Sequence, residues 1–142
     1  MKTNWRLELA LILIVVAMFA GSALVWPTAP DEIPMHWNAS GEIDRYGGRT
    51  EGLFLLPLIA MGIYLGMRYV PRIDPGRANY ARFGGAYAVL RTGILLVMGI
   101  AHATVLLWAA GRPVNVSAVM PFAIGALFLL VGSVLGKVRP NW

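Results

Sequence analysis

Long uncharged apolar runs alternate along the chain with short segments that hold nearly all of its charge. Leu9 to Trp26 carries no ionisable side chain and is preceded by Trp5, Arg6 and Glu8. A bilayer core takes about 20 mostly apolar residues as a helix, so this run predicts a first spanning helix over residues 7–26. It is longer than the roughly 7–15 residues of a signal-peptide core. Although Ala20-Gly21-Ser22 offers small residues at cleavage-like spacing, the reading is an anchor. A second span is expected over 53–70, with Pro57 one turn in, where neighbouring groups can satisfy the carbonyl that a proline frees. Pro71, Asp74-Pro75-Gly76 and Asn79 mark the next loop. A third span covers 86–110, with an interfacial turn or two ahead of it through Tyr80 and Arg82, and a fourth covers 117–136 after Gly111-Arg112-Pro113.

Composition agrees with this pattern. The chain is 58% hydrophobic and 13% charged, whereas a soluble domain is about a quarter charged. The expected fold is therefore an all-α membrane protein, with one integral membrane domain over 1–142 and four transmembrane helices. A short ordered segment, a hairpin or hairpin-like cap, is expected in the loop 27–52 between the first two. The basic balance does not point to nucleic acid, because the arginines flank apolar runs, where they orient helices. Lys2, Arg6, Arg68, Arg72, Arg77, Arg82, Arg91, Lys137 and Arg139 fall on one side, and Arg45, Arg49 and Arg112 on the other. Lys and Arg accumulate in cytoplasmic loops. Both termini are thus expected in the cytoplasm and the 27–52 loop outside, in a multi-pass protein of the cell membrane. Trp5, Trp26, Tyr69 and Trp108 fall near the expected interfaces. No cysteine is present, which excludes disulfides and thiolate chemistry.

Ile33 to Gly48 is the longest polar interruption. Ile33, Met35 and Trp37 alternate with Pro34, His36 and Asn38, a strand-like period of two. Asn38-Ala39-Ser40-Gly41 is turn chemistry, with Gly tolerating positive φ, and Ile43 and Arg45 alternate again up to Gly47-Gly48. His36, Asn38, Asp31, Glu32, Glu42 and Asp44 could hold a metal ion or act as acid and base. They could instead recognise a partner, or simply hydrogen-bond the hairpin itself. There is no His-Glu-x-x-His helix, no second histidine nearby and no phosphate-binding or dinucleotide motif. The expectation is no catalytic residue, no metal and no cofactor. His36, Trp37, Asn38, Gly41, Asp44 and Tyr46 are the candidate ligand- or partner-binding residues.

His102 sits near the middle of the third span, where an ionisable group is costly and suggests function. Arg91 lies about three turns earlier on the same face. No acidic partner within the spans is expected for this stripe, so His102 should donate to a backbone carbonyl. Gly62–Gly66 and Gly132–Gly136 are Gly-x-x-x-Gly pairs, and Ala17–Gly21 is a weaker version; such faces allow close helix approach, within the bundle or onto a partner subunit. The basic Arg68–Arg91 loop suits anionic headgroups or an acidic protein.

Pro34-Met35-His36-Trp37-Asn38, with Gly41 and Asp44, resembles the Pro-x-His-x-Asn-x-x-Gly-x-x-Asp signature of a bacterial membrane domain of unknown function. That domain forms the N-terminal part of the SdpI-like immunity proteins. Gly136 to Trp142 resembles the opening of a second signature of those proteins, which continues there into further hydrophobic segments. The resemblance implies a non-enzymatic immunity or signalling protein. Its partners would be the lipid bilayer, a secreted peptide toxin outside, and a cytoplasmic protein at the Arg68–Arg91 loop. The alternatives are a small accessory subunit of a larger membrane complex and a membrane enzyme or transporter.

Overall fold

The computed structural model describes residues 4–136, the side chain of Ala81 excepted. Lys2 and the stretch 137–142, which carries most of the second signature, lie outside the described residues. Among the described residues, four helices are long and apolar enough to cross a membrane.

Helix α1 (Trp5–Val25) starts at Asn4, whose side chain accepts the Leu7 N–H. Leu11, Val15, Met18 and Ser22 form its buried stripe, at the alternating three- and four-residue spacing that keeps one helix face inward. A short 3-10 turn, Trp26–Thr28, leads to strand β1 (Glu32–Trp37), paired antiparallel with β2 (Ile43–Gly48). The expected simple alternation does not hold. The ladder shifts between Pro34 and His36 and again between His36 and Trp37. An irregular ladder breaks the period of two, and Pro34 is buried beside Ile33.

No loop separates β2 from α2 (Arg49–Ile73), which begins directly after Gly48 and so starts four residues before the expected second span. Pro57 and Pro71 both lie inside it. Helix α3 (Tyr80–Ala109) likewise includes the expected interfacial turns as one helix, bent at Phe83, whose φ of −121° is not helical. Helix α4 (Val116–Leu135) is capped by the Asn115 side chain, which accepts the Ala118 N–H.

Helices α1, α2 and α3 pack against one another around Leu11, Val15, Met18, Ala60 and Leu95. Helix α4 is different: it packs chiefly along α3. Phe122, Phe128 and Leu129 on it are 70–80% exposed. The four helices expected from the sequence are present, three of them forming the core and the fourth lying on its flank along α3. Of the small-residue faces, only one is used inside the protein. Among the described residues a Cβ at Gly62, Gly66, Gly132 or Gly136 would meet nothing, whereas one at Gly21 would run into Leu106 and one at Gly93 into Leu127. Close approach inside the protein thus uses the weaker Ala17–Gly21 pair and a glycine outside any such motif.

The hairpin is set into the helices at its base. Ile33 and Leu53 are fully buried with Ala29, Val105 and Ala109, and Trp26, Trp37, Phe54 and Trp108 pack around them. Gly52 lets α2 approach, because a Cβ there would overlap Ile33. Arg49 ties the base further, donating to Asp31 Oδ1 at 2.7 Å and lying over the Trp26 ring.

Candidate functional site

The hairpin turn is built around Asn38. Its Oδ1 accepts the N–H groups of Ser40 (2.9 Å) and Glu42 (3.0 Å), and its Nδ2 donates to Glu42 Oε2 at 3.1 Å. Asn38 and Glu42 also pair through the backbone, Asn38 N–H to Glu42 O at 2.9 Å. Gly41 has φ +82°, a conformation costing an L-residue roughly 1–2 kcal/mol. It also lies against α4, where an added Cβ would collide with the Ser117 hydroxyl. Behind the turn, His36 Nδ1 and Asp44 Oδ1 lie 2.6 Å apart, with side chains 63% and 43% exposed. Asp44 thus ties the returning strand to β1. His36, Asn38, Gly41 and Asp44 are brought together as hairpin scaffold. Among the described residues, no three His, Asp or Glu side chains gather as a metal site would require.

Trp37 and Tyr46 point elsewhere. Tyr46 is 47% exposed and meets Trp108 edge-on, ring centres 6.2 Å apart. Trp37 contributes to a cleft of about 290 Å³ between the hairpin and helices α2, α3 and α4. Leu55, Leu56, Ile59, Val105 and Met120 form its apolar walls, and Arg45 and Glu51 also line it. The cleft exists because α4 packs along α3 and leaves the α2 side open. An apolar slot with a few placed polar groups is the ordinary form of a binding site. Sequence reading missed Arg45, Glu51 and the helix residues, since nothing local marks walls drawn from five separate elements.

Inside the helices there are two polar nodes. His102 is 1% exposed. Its Nε2 lies 3.1 Å from Met18 O, as expected, and 3.0 Å from Ser22 Oγ, which itself donates to Leu53 O at 2.5 Å. Because the serine proton is committed to Leu53, Nε2 must carry the hydrogen that both Met18 O and Ser22 Oγ receive. The node joins α1, α2 and α3 toward the hairpin, with Ser22 in the last turn of α1 and Leu53 near the start of α2.

The second node overturns an expectation. Arg91 does have an acidic partner: Glu8, in the first turn of α1. Arg91 Nη1 and Nη2 donate to Glu8 Oε1 and Oε2 at 2.8 and 3.0 Å. Arg68 Nε lies 3.2 Å from Glu8 Oε2, and the Tyr64 hydroxyl donates to the same oxygen at 3.1 Å. The sequence did hold a signal. Positions 8, 11, 15, 18 and 22 form one series, so Glu8 occupies the first place of the buried stripe of α1. Arg91 and His102 also share a face as expected, and that face looks onto α1.

At the far end, Asp74 organises the turn between α2 and α3. It accepts the Gly76 N–H at 2.7 Å and the Tyr80 hydroxyl at 2.9 Å. Burial, together with the Asp74 carboxylate, pushes the Tyr80 phenol up to about 12.

The fold and these nodes define a multi-pass membrane protein with a small hairpin between its first two helices. The family model described as "Domain of unknown function (DUF1648)" matches residues 13–61, which cover most of α1, the whole hairpin and the first half of α2. No curated protein and no solved structure matches the chain.

Proposed function

We propose that this is a non-enzymatic membrane protein of the immunity or signalling type, receiving a peptide partner in the cleft beneath the hairpin. The carrying observation is the cleft itself, apolar along α2, α3 and α4 and lined by Trp37, Arg45 and Glu51 toward the hairpin. Such a slot complements a peptide with an apolar face and charged ends. The likeness of residues 34–44 to the SdpI-like signature supports the same reading and suggests a secreted peptide toxin as the ligand. Aromatic residues dominate binding hot spots, and Trp37 supplies one in the cleft. On the arginine and lysine distribution, the hairpin faces outward and the Arg68–Arg91 turn faces a cytoplasmic partner.

A photo-crosslinking residue placed at Leu55 or Met120 tests this in cells exposed to a secreted peptide toxin. Both positions should give a peptide-sized adduct, whereas Phe128, on the exposed face of α4, should give none. Trp37→Ala should lose protection while still inserting. Lipid adducts alone at Leu55 and Met120 refute the reading. One observation favours a second reading, an accessory subunit of a larger complex: Gly62 and Gly66 present a small-residue face with nothing among the described residues packed on it. Stoichiometric co-purification with a larger assembly, lost in Gly62→Leu, would replace the first reading with this one.

A further inference from the structure

Away from the hairpin, where α2 turns into α3, a cavity of about 150 Å³ is lined by Arg68, Arg72, Arg77 and Arg91, with Met67, Pro71 and Tyr80. We propose that this cavity binds a phosphate group.

Charge makes the first case. Four arginines line one small space, and among the described residues no acidic residue lines it. Glu8, from α1, answers two of the four, Arg68 and Arg91. Arg72 stacks on the Tyr69 ring, 5.1 Å from its centre, which positions that cation without neutralising it. A buried donor makes the second. Arg91 is 3% exposed, and its buried Nε–H has no hydrogen-bond partner among the described residues. Buried N–H groups are nearly always paired, so a donor left over beside a cavity calls for an acceptor.

The turn places the fourth arginine. The Asp74 carboxylate, held by Gly76 N–H and the Tyr80 hydroxyl, shapes the link, and Arg77 N–H donates to Asp74 O at 3.0 Å. That local order carries the Arg77 side chain onto the cavity wall.

Shape decides the ligand. At about 150 Å³ the cavity is roughly half the size of the cleft beneath the hairpin, so it holds a single compact group rather than a peptide segment. Arginine forks match the several oxygens of a phosphate and neutralise its charge. The phosphate can belong to an anionic lipid headgroup, since the cavity lies at the end of three spanning helices, or to a soluble phosphate.

The test uses the full chain in two kinds of nanodisc. Phosphatidylcholine discs containing a minor fraction of phosphatidylglycerol are read by native mass spectrometry for retained lipid. Phosphatidylcholine-only discs are melted with and without inorganic phosphate. Retention of phosphatidylglycerol over phosphatidylcholine identifies a lipid headgroup, and stabilisation by inorganic phosphate identifies a soluble source; either supports the site. Arg72→Gln and Arg77→Gln should each weaken the effect about tenfold, as loss of a charged hydrogen bond does. Arg82→Gln removes the same charge from an exposed position outside the cavity and should change it less than twofold. Both arginines are exposed, so folding should survive, with circular dichroism as the check. Should neither lipid nor phosphate bind selectively, or should Arg82→Gln match Arg77→Gln, the proposal falls. The second result would mean a diffuse basic surface.

Discussion

Removing Glu8 should damage the protein more than removing Arg91, although the two form one ion pair. Glu8 accepts two hydrogen bonds from Arg91 and one from Tyr64, and pairs with Arg68. The Glu8 and Arg91 side chains are 13% and 3% exposed. Glu8→Ala leaves the Arg91 guanidinium buried without a counter-charge and takes the partner of Arg68 as well. Breaking a buried pair from one side costs about 3–5 kcal/mol. Arg91→Met removes the buried cation together with its bonds, while Glu8 keeps Arg68 and Tyr64. The cost there should be nearer the 1–3 kcal/mol of a lost buried hydrogen-bonding partner. The gap, roughly 2 kcal/mol, is measurable by reversible SDS unfolding in mixed micelles, followed by tryptophan fluorescence. Restoring neutrality with Glu8→Gln plus Arg91→Met should recover part of the loss, because residues in direct contact are not additive. Equal or smaller damage from Glu8→Ala than from Arg91→Met would mean that water reaches the cluster freely and the pair is not what holds the three helices.

Gly41→Ala should destabilise by about 1–3 kcal/mol, combining left-handed strain with collision against Ser117; adding Ser117→Gly should restore only the collision part in the same unfolding assay. His36→Ala and Asp44→Ala should each cost no more than about 1 kcal/mol, because the pair is largely exposed and screened, and raising the salt concentration should shrink the effect further. Tyr80 holds its proton up to about 12 when folded and only to about 10 when unfolded. Its contribution is therefore complete below about pH 10 and is lost as pH rises toward 12. Tyr80→Phe should flatten that alkaline decline in melting temperature.

The hairpin shows how local chemistry and tertiary packing divide the work. Asn38 and Gly41 were readable as a turn because the forces that shape it are local: a side-chain amide reaching backbone groups two and four residues away, and one positive φ. The strand register was not readable. The ladder shifts around His36, and before that shift Ile33 and Pro34 are both buried against the helices beneath, a requirement of packing that leaves no mark on the alternation itself.

The same division runs through the whole chain. Sequence alone determined the four spans, since bilayer thickness sets helix length and the cost of exposing backbone to lipid forces apolar runs into helices. It also placed Arg91 and His102 on one face, because helical periodicity is a local property. Tertiary structure decided what those residues meet. Lipid tails are as apolar as leucine, so hydrophobicity cannot say which helix packs on which; that choice falls to the Glu8 and His102 nodes and to contacts such as Gly21 on Leu106. The flanking place of α4, the cleft it leaves open beside α2, and the four arginines gathered at the opposite turn all follow from that packing.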